Sequence, residues 1–160
     1  MKKIILTLIL FLGVVFSGIA QETYEWTKYK IKATVPEGMT LVKNDSEGLV
    51  LKASNFTFGL SPFKNAKKLT KLSDEELAEL VVSFCKELNM DMQDVENEEF
   101  ECNNGEGIYF IGNRTDVEGW QSLFAFVGNE DTNKFAIVIL CFENDMAELA
   151  GQVLANIEFY

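Results

Sequence analysis

The stretch "GIYFIGNRTDVEGWQSLFAFVGNEDTNKFAIVILCFE", residues 107–143, holds three apolar runs separated by Asn, Gly and Asp. The runs are GIYFIGN, WQSLFAFVGN and KFAIVILCFE. Runs of this length, bounded by turn residues and rich in Phe, Ile and Val, read as strands. They are continuous rather than alternating, so each is expected to be covered on both faces. The covering layers must come from the rest of the chain.

Two helices are available. "LSDEELAELVVSFCKELN" (72–89) opens with Ser73 and Glu76 at capping-box spacing. Asp74, Glu75 and Glu76 suit the positive end of the helix dipole. Leu77, Leu80, Val81, Phe84 and Leu88 recur at helical spacing, with Cys85 at the edge of their stripe and Asn89 as the stop. The second helix, "NDMAELAGQVLANIEF" (144–159), places Met146, Leu149, Ala150, Val153 and Ile157 on one face, with Asn144 or Asp145 to cap it. Toward the N-terminus, "YKIKATVP" alternates Tyr29, Ile31, Ala33 and Val35 against lysines, which predicts a half-buried strand. "MTLVK", "LVLKAS" and "FTFGLSPF" predict three more, the last ended by Pro62. "KNAKKLTK" (64–71) lacks periodicity and reads as a loop, and an acidic segment leads into a strand from about Val95 to Cys102.

The order is four strands, helix, four strands, helix. Hairpins join most of the strands, so the class is α+β with a mainly antiparallel central sheet and helices on both faces. "YKIKATVPEGMTLV", "SDEELAELVVSF" and the terminal "LANIEF" resemble the layout of the Mog1/PsbP-like families. The resemblance spans most of residues 21–160. It implies an α/β/α sandwich and a non-catalytic role, since the best-known members are a regulator that binds a small GTPase and an extrinsic subunit of the photosynthetic water-oxidising complex. No functional residue matches one by one, so none is carried over.

Residues 1–20 stand apart. "MKK" is followed by the apolar stretch Ile4–Phe16 and by small residues at Ser17, Gly18 and Ala20. This predicts a signal peptide cut after Ala20, leaving a single α+β domain over 21–160 that is secreted or periplasmic. The apolar stretch falls short of the roughly 18 residues that a spanning helix needs. The whole chain carries a net charge of −11. Residues 1–20 hold Lys2, Lys3 and no acid, so the remainder stands at −13. Such a chain is repelled by nucleic acid and by anionic membranes.

Several chemistries are excluded by composition. There is no histidine, no G-x-S-x-G and no C-x-x-C. His-based acid–base catalysis, Ser-His-Asp and Cys-His arrangements and thioredoxin-like redox chemistry therefore have no carrier. In "CNNGEGIYFIGN" (102–113) the glycines precede a strand, not a helix, so the stretch reads as a hairpin turn at Asn104-Gly105 rather than a phosphate loop. No cofactor is expected. The acids from Asp91 to Glu101 lack the spacing of a calcium loop, which leaves weak calcium binding as the lesser reading beside a solvated edge. Met90 and Met92 read as gap-fillers before copper ligands. Cys85, Cys102 and Cys141 read as buried thiols, with a Cys102–Cys141 bridge as the alternative if their strands are neighbours.

The partner-binding candidates are Tyr24, Trp26 and Trp120, and the lysines Lys64, Lys67, Lys68 and Lys71. Counting in twos from Val35 lands on Thr27, so an unbroken strand points Trp26 away from the buried face. That predicts an exposed aromatic patch, unless a bulge near Thr27 resets the phase. The lysines form a local basic loop suited to an acidic partner. The reading is an exported non-catalytic binding or accessory module, whose partner is an envelope or extracellular protein. The alternative is a carrier of a small apolar ligand held between helix and sheet, lined from the chain's 13 phenylalanines.

Overall fold

The computed structural model describes residues 20–63 and 71–160. Residues 1–19 of the leader and Lys64, Lys67 and Lys68 lie outside the described residues. The strands are β1 (Gln21–Trp26), β2 (Ile31–Pro36), β3 (Thr40–Asp45), β4 (Gly48–Lys52), β5 (Phe56–Pro62), β6 (Glu96–Cys102), β7 (Gly105–Asn113), β8 (Trp120–Asn129), β9 (Lys134–Glu143) and β10 (Glu158–Phe159). The helices are α1 (Asp74–Glu87) and α2 (Ala147–Ala155).

The strands form two sheets rather than one. A seven-stranded sheet runs β3-β4-β5-β9-β8-β7-β6, and a small one runs β1-β2-β10. Every pairing between these strands is antiparallel. The runs GIYFIGN, WQSLFAFVGN and KFAIVILCFE form β7, β8 and β9, the middle and one flank of the larger sheet. They are covered on both faces, as their continuous apolar pattern requires. Leu123, Ala125 and Val127 of β8 join a cluster with Ile31, Ala33 and Val35 of β2 and Leu149, Ala150 and Val153 of α2. Phe124 and Phe126 turn the other way and join a second cluster with Cys85, Phe84, Leu80 and Leu77 of α1. One covering layer is thus a helix shared with the small sheet, and α2 does not cover its face alone.

The α1 capping box forms as its sequence predicts. The Ser73 N–H donates to Glu76 Oε2 at 3.0 Å, and the Glu76 N–H to Ser73 Oγ at 3.3 Å. The helix ends with Asn89 in the left-handed region, φ 53°. For α2 the expected cap at Asn144 or Asp145 is not used. A 3-10 turn (Asn144–Met146) precedes the helix, and Met146 stands at the cap without a side-chain bond. The helix also stops at Ala155, so Ile157 and Phe159 are buried by alternation across β10, not by helical spacing.

The turn in "CNNGEGIYFIGN" is real but sits one residue earlier than Asn104-Gly105. Cys102 pairs with Gly105, leaving Asn103-Asn104 as the turn, with Asn104 at φ 57°. Gly105 and Gly107 lie inside β7 for lack of room. A Cβ on Gly105 would stand 2.8 Å from the Phe159 ring and from the Gly128 carbonyl oxygen. One on Gly107 would meet the Phe126 carbonyl oxygen and stand 2.8 Å from the Phe100 ring.

Candidate functional site

Trp26 is a core residue, not the exposed aromatic that the strand count predicts. Its side chain is 1% exposed, its indole N–H donates to the Asp45 carbonyl oxygen at 2.6 Å, and its ring lies 4.1 Å from that of Tyr29. The reason is the chain path. Trp26 ends β1, and Thr27–Lys30 are a turn closed by Tyr29 N–H to Trp26 O (3.1 Å) and Lys30 N–H to Thr27 O (3.3 Å), with Lys30 at φ 57°. Counting in twos is valid only within one strand, and the turn breaks the count. Trp26 instead pairs with Ile31 across the hairpin and shares its buried face. Tyr24 is half-buried against the same cluster, and burial, with Glu22 beside it, raises its phenol above the ordinary range.

Trp120 is elsewhere. It opens β8 opposite Glu143, whereas Asp45, which holds Trp26, pairs with Gly48 at the level where β5 meets Ile137 of β9. Six residues of β8 separate those levels, about 20 Å along the strand. Trp26, in the small sheet, is held against the end of the larger sheet opposite Trp120, and the two share no patch. Lys71 is exposed just ahead of α1, at the end away from Trp120. That placement follows from Ser122 Oγ donating to the Leu88 carbonyl oxygen, which fixes the last turn of α1 at the Trp120 end.

The Trp120 end is built from three loops. Trp120, Glu118, Gly119, Glu143, Asn144 and Asp145 line a shallow cleft of about 370 Å³. The surrounding loops are braced by main-chain bonds. Arg114 N–H donates to Trp120 O (2.9 Å), Asn144 N–H to Gly119 O (2.9 Å), Thr115 N–H to Asn89 O (2.8 Å) and Asp91 N–H to Asn113 O (2.9 Å). Arg114 grips Asp116 with two bonds, Nε to Oδ1 at 2.9 Å and Nη2 to Oδ2 at 2.6 Å, and Asn89 Nδ2 adds a third at 3.2 Å. The guanidinium holds the Asp116 carboxyl below the usual carboxylate range. Arg114 is the only basic residue in loops 89–95, 113–119 and 143–147, which carry Asp91, Asp94, Asp116, Glu118, Glu143 and Asp145. Of these, Glu118 and Glu143 were not singled out in the sequence, and Asp145 was read only as a helix cap. Glu118 lies two residues before Trp120 in the chain, whereas Glu143, at the end of β9, and Asp145 are brought beside Trp120 by the β8–β9 register.

At the opposite end three lysines surround Tyr160, whose hydroxyl donates to Glu25 Oε2 at 3.3 Å, and Glu25 also pairs with Lys32 at 3.8 Å. Lys30 and Lys32 stand 5.2 and 4.5 Å from its ring centre, and Lys134 Nζ donates to its main-chain oxygen at 3.0 Å.

Other sequence candidates resolve locally. The glutamates of β6 lie on an edge strand, where Glu98 accepts from the Tyr109 hydroxyl at 2.9 Å. Burial, then Glu98, pushes the Tyr109 phenol up to about 12. Among the described residues no three Cys, Asp or Glu side chains are grouped to hold a metal ion. Met90 is 4% exposed inside the α1 cluster and Met92 is 47% exposed, so the pair does not converge. All three cysteines are free. Cys102 on β6 and Cys141 on β9 are separated by β7 and β8, about 14 Å of strand spacing, so they cannot bridge. Burial, then Glu106, pushes the Cys102 thiol up to about 12.

The fold is that of the Mog1/PsbP-like proteins. The structure is similar to the solution structure of cyanobacterial PsbP (CyanoP) from Synechocystis sp. PCC 6803, with a TM-score of 0.55, 19% identity and coverage of 94% of this chain and 96% of that one. It is also similar to the crystal structure of the Saccharomyces cerevisiae Ran-binding protein Mog1p, with a TM-score of 0.51, 12% identity and coverage of 89% and 86%. No family model and no curated protein matches the sequence. Among the described residues no helix is long and apolar enough to cross a membrane.

Proposed function

We propose that this chain is an exported accessory module that docks a protein partner and carries out no reaction of its own. Its single domain spans 21–160, behind a leader cut after Ala20. One feature supports the leader: the first folded strand begins at Gln21, immediately after the cut. The α/β/α layering belongs to the same proposal, supported by apolar clusters on opposite faces of the larger sheet that take residues from α1 and from α2. The fold shared with a Ran-binding protein supports a docking role.

The observation that favours docking over a carrier of an apolar ligand is the filled space between α1 and the sheet. Phe84 stacks on Phe124 at 5.1 Å, Phe124 stacks on Phe110 at 5.0 Å, and Phe63 meets Phe126 edge-on at 5.9 Å. Rings in mutual contact leave no room for a guest. In-cell crosslinking from the envelope, read by mass spectrometry, is expected to join the chain to one protein in fixed ratio. A lipid-sized mass retained on the purified chain in a native mass spectrum would instead establish the carrier reading.

A further inference from the structure

We infer that the Trp120 end is the docking face, and that its partner presents a lysine- or arginine-bearing segment with an apolar flank. This rests on the accessory-module reading and names its surface. The cleft is lined by three carboxylates, Glu118, Glu143 and Asp145, that have no cation of their own among the described residues. The one guanidinium in these loops is spent on Asp116. Trp120 is half-buried and supplies an indole wall, and two of the few large apolar side chains left in water, Met92 (47% exposed) and Val117 (40%), sit on the adjoining loops. Carboxylates without counterions beside an indole face suit a cationic side chain, by charge and by cation–π attraction. Exposed Met and Val suit the apolar flank of the same segment. Lys30, Lys32 and Lys134 cluster around Tyr160 at the far end of the sheet, so a basic partner meets more cations there than beside Trp120. The net charge of −13 beyond the leader adds long-range steering toward the same class of partner.

The probe is a short amphipathic Lys–Leu peptide, titrated into the chain with Trp120 emission as the readout and Trp26 as the buried internal reference. A Glu–Leu peptide of the same length is the control ligand. The peptide is expected to shift Trp120 emission, and the triple change Glu118→Gln, Glu143→Gln, Asp145→Asn to weaken binding about tenfold or more. A change of equal charge on the β6–β7 hairpin away from Trp120, Glu99→Gln, Glu101→Gln, Glu106→Gln, should alter it less than about twofold. Trp120→Phe should retain most of the affinity and Trp120→Ala lose it, followed by a dye on the peptide. Equal weakening by the two triple changes would reduce the effect to bulk charge and overturn the proposal. So would calcium or a second copy of the chain occupying the cleft in place of the peptide. If the peptide fails but in-cell crosslinks map to the Tyr160 end, the accessory role stands and this surface falls.

Discussion

Replacing Trp26 by alanine tests the corrected placement of β1. The indole is 1% exposed, so nearly all its area is withdrawn from water, and full truncation of a buried Trp costs about 3–5 kcal/mol. The lost hydrogen bond to Asp45 O, at 2.6 Å, adds about 1 kcal/mol, because the bond ties the small sheet to the β3–β4 turn. Folded domains hold only about 5–15 kcal/mol, so a loss of about 4–6 takes a large share of the total. For a domain of this size it corresponds to a fall in melting temperature of roughly 15 °C. Trp26→Phe keeps most of the ring and drops only the donor, so it should cost roughly a quarter as much. Thermal and urea unfolding followed by circular dichroism measure both. In a Trp120→Phe background the remaining emission should be blue-shifted and resist iodide. A red-shifted, quenchable Trp26, or an alanine variant melting within two or so degrees of the parent, would show that the turn at Thr27–Lys30 does not reset the strand.

Three further outcomes follow from the packing. Phe84→Ala, which strips α1 of its stack on Phe124 and its edge contact with Phe126, should cost about 3 kcal/mol, the low end for Phe because the side chain is only half-buried. An unchanged urea midpoint would place α1 off the sheet. Gly107→Ala pushes a methyl group into the Phe126 carbonyl and the Phe100 ring and should cost about 1–3 kcal/mol, whereas Gly151→Ala, with open space, should not destabilise. Alkali should unfold the chain early. Cys102 rises from 9.0 and Tyr109 from 10.0, each to about 12, so the folded state holds protons that the unfolded chain releases. That stability is whole below pH 9 and drains as the pH climbs toward 12. Cys102→Ala should flatten the fall between pH 9 and 12 in a denaturant series, and an unaltered slope would refute the buried neutral thiol.

Much of the architecture was legible because its signals are local. Ser73 and Glu76 announce α1, and the continuous runs of β7 to β9 announce a two-sided core. What was not legible depended on distant partners. β1 reads QETYEW, mostly exposed and polar, and becomes a strand only by pairing with β2. β10 is two residues long and is held by β2 and by Asn103, with which it forms an isolated parallel bridge. The phase count failed at Trp26 because a four-residue turn of Thr, Lys, Tyr and Lys has none of the usual Gly, Asn or Pro marks. The site was half legible. Trp120 follows a Gly at φ 79° at the start of an apolar run, with Glu118 two residues before it, but Glu143 and Asp145 look like any surface acids until the β8–β9 register sets Trp120 opposite Glu143.

Arg114 separates two accounts of how the acidic end would work. If the partner is drawn by charge alone, removing the only cation in these loops should tighten binding of the Lys–Leu peptide. If the end works because it is held in shape, the same change should weaken it, since Arg114 fixes Asp116, Asp116 fixes Asn89, and Asn89 O receives Thr115. Pre-organised loops lose less freedom on binding, and that saving is forfeited when the brace goes. Met92 and Val117 ride on the braced loops, so slack there also scatters the apolar contacts. Arg114→Gln is therefore expected to weaken the peptide despite the added negative charge. Raising salt should weaken the variant and the parent in similar proportion, because screening acts on the carboxylates that both retain. Tighter binding by Arg114→Gln at every salt concentration would assign the end to bulk attraction and leave its hydrogen-bonded frame without a role in recognition.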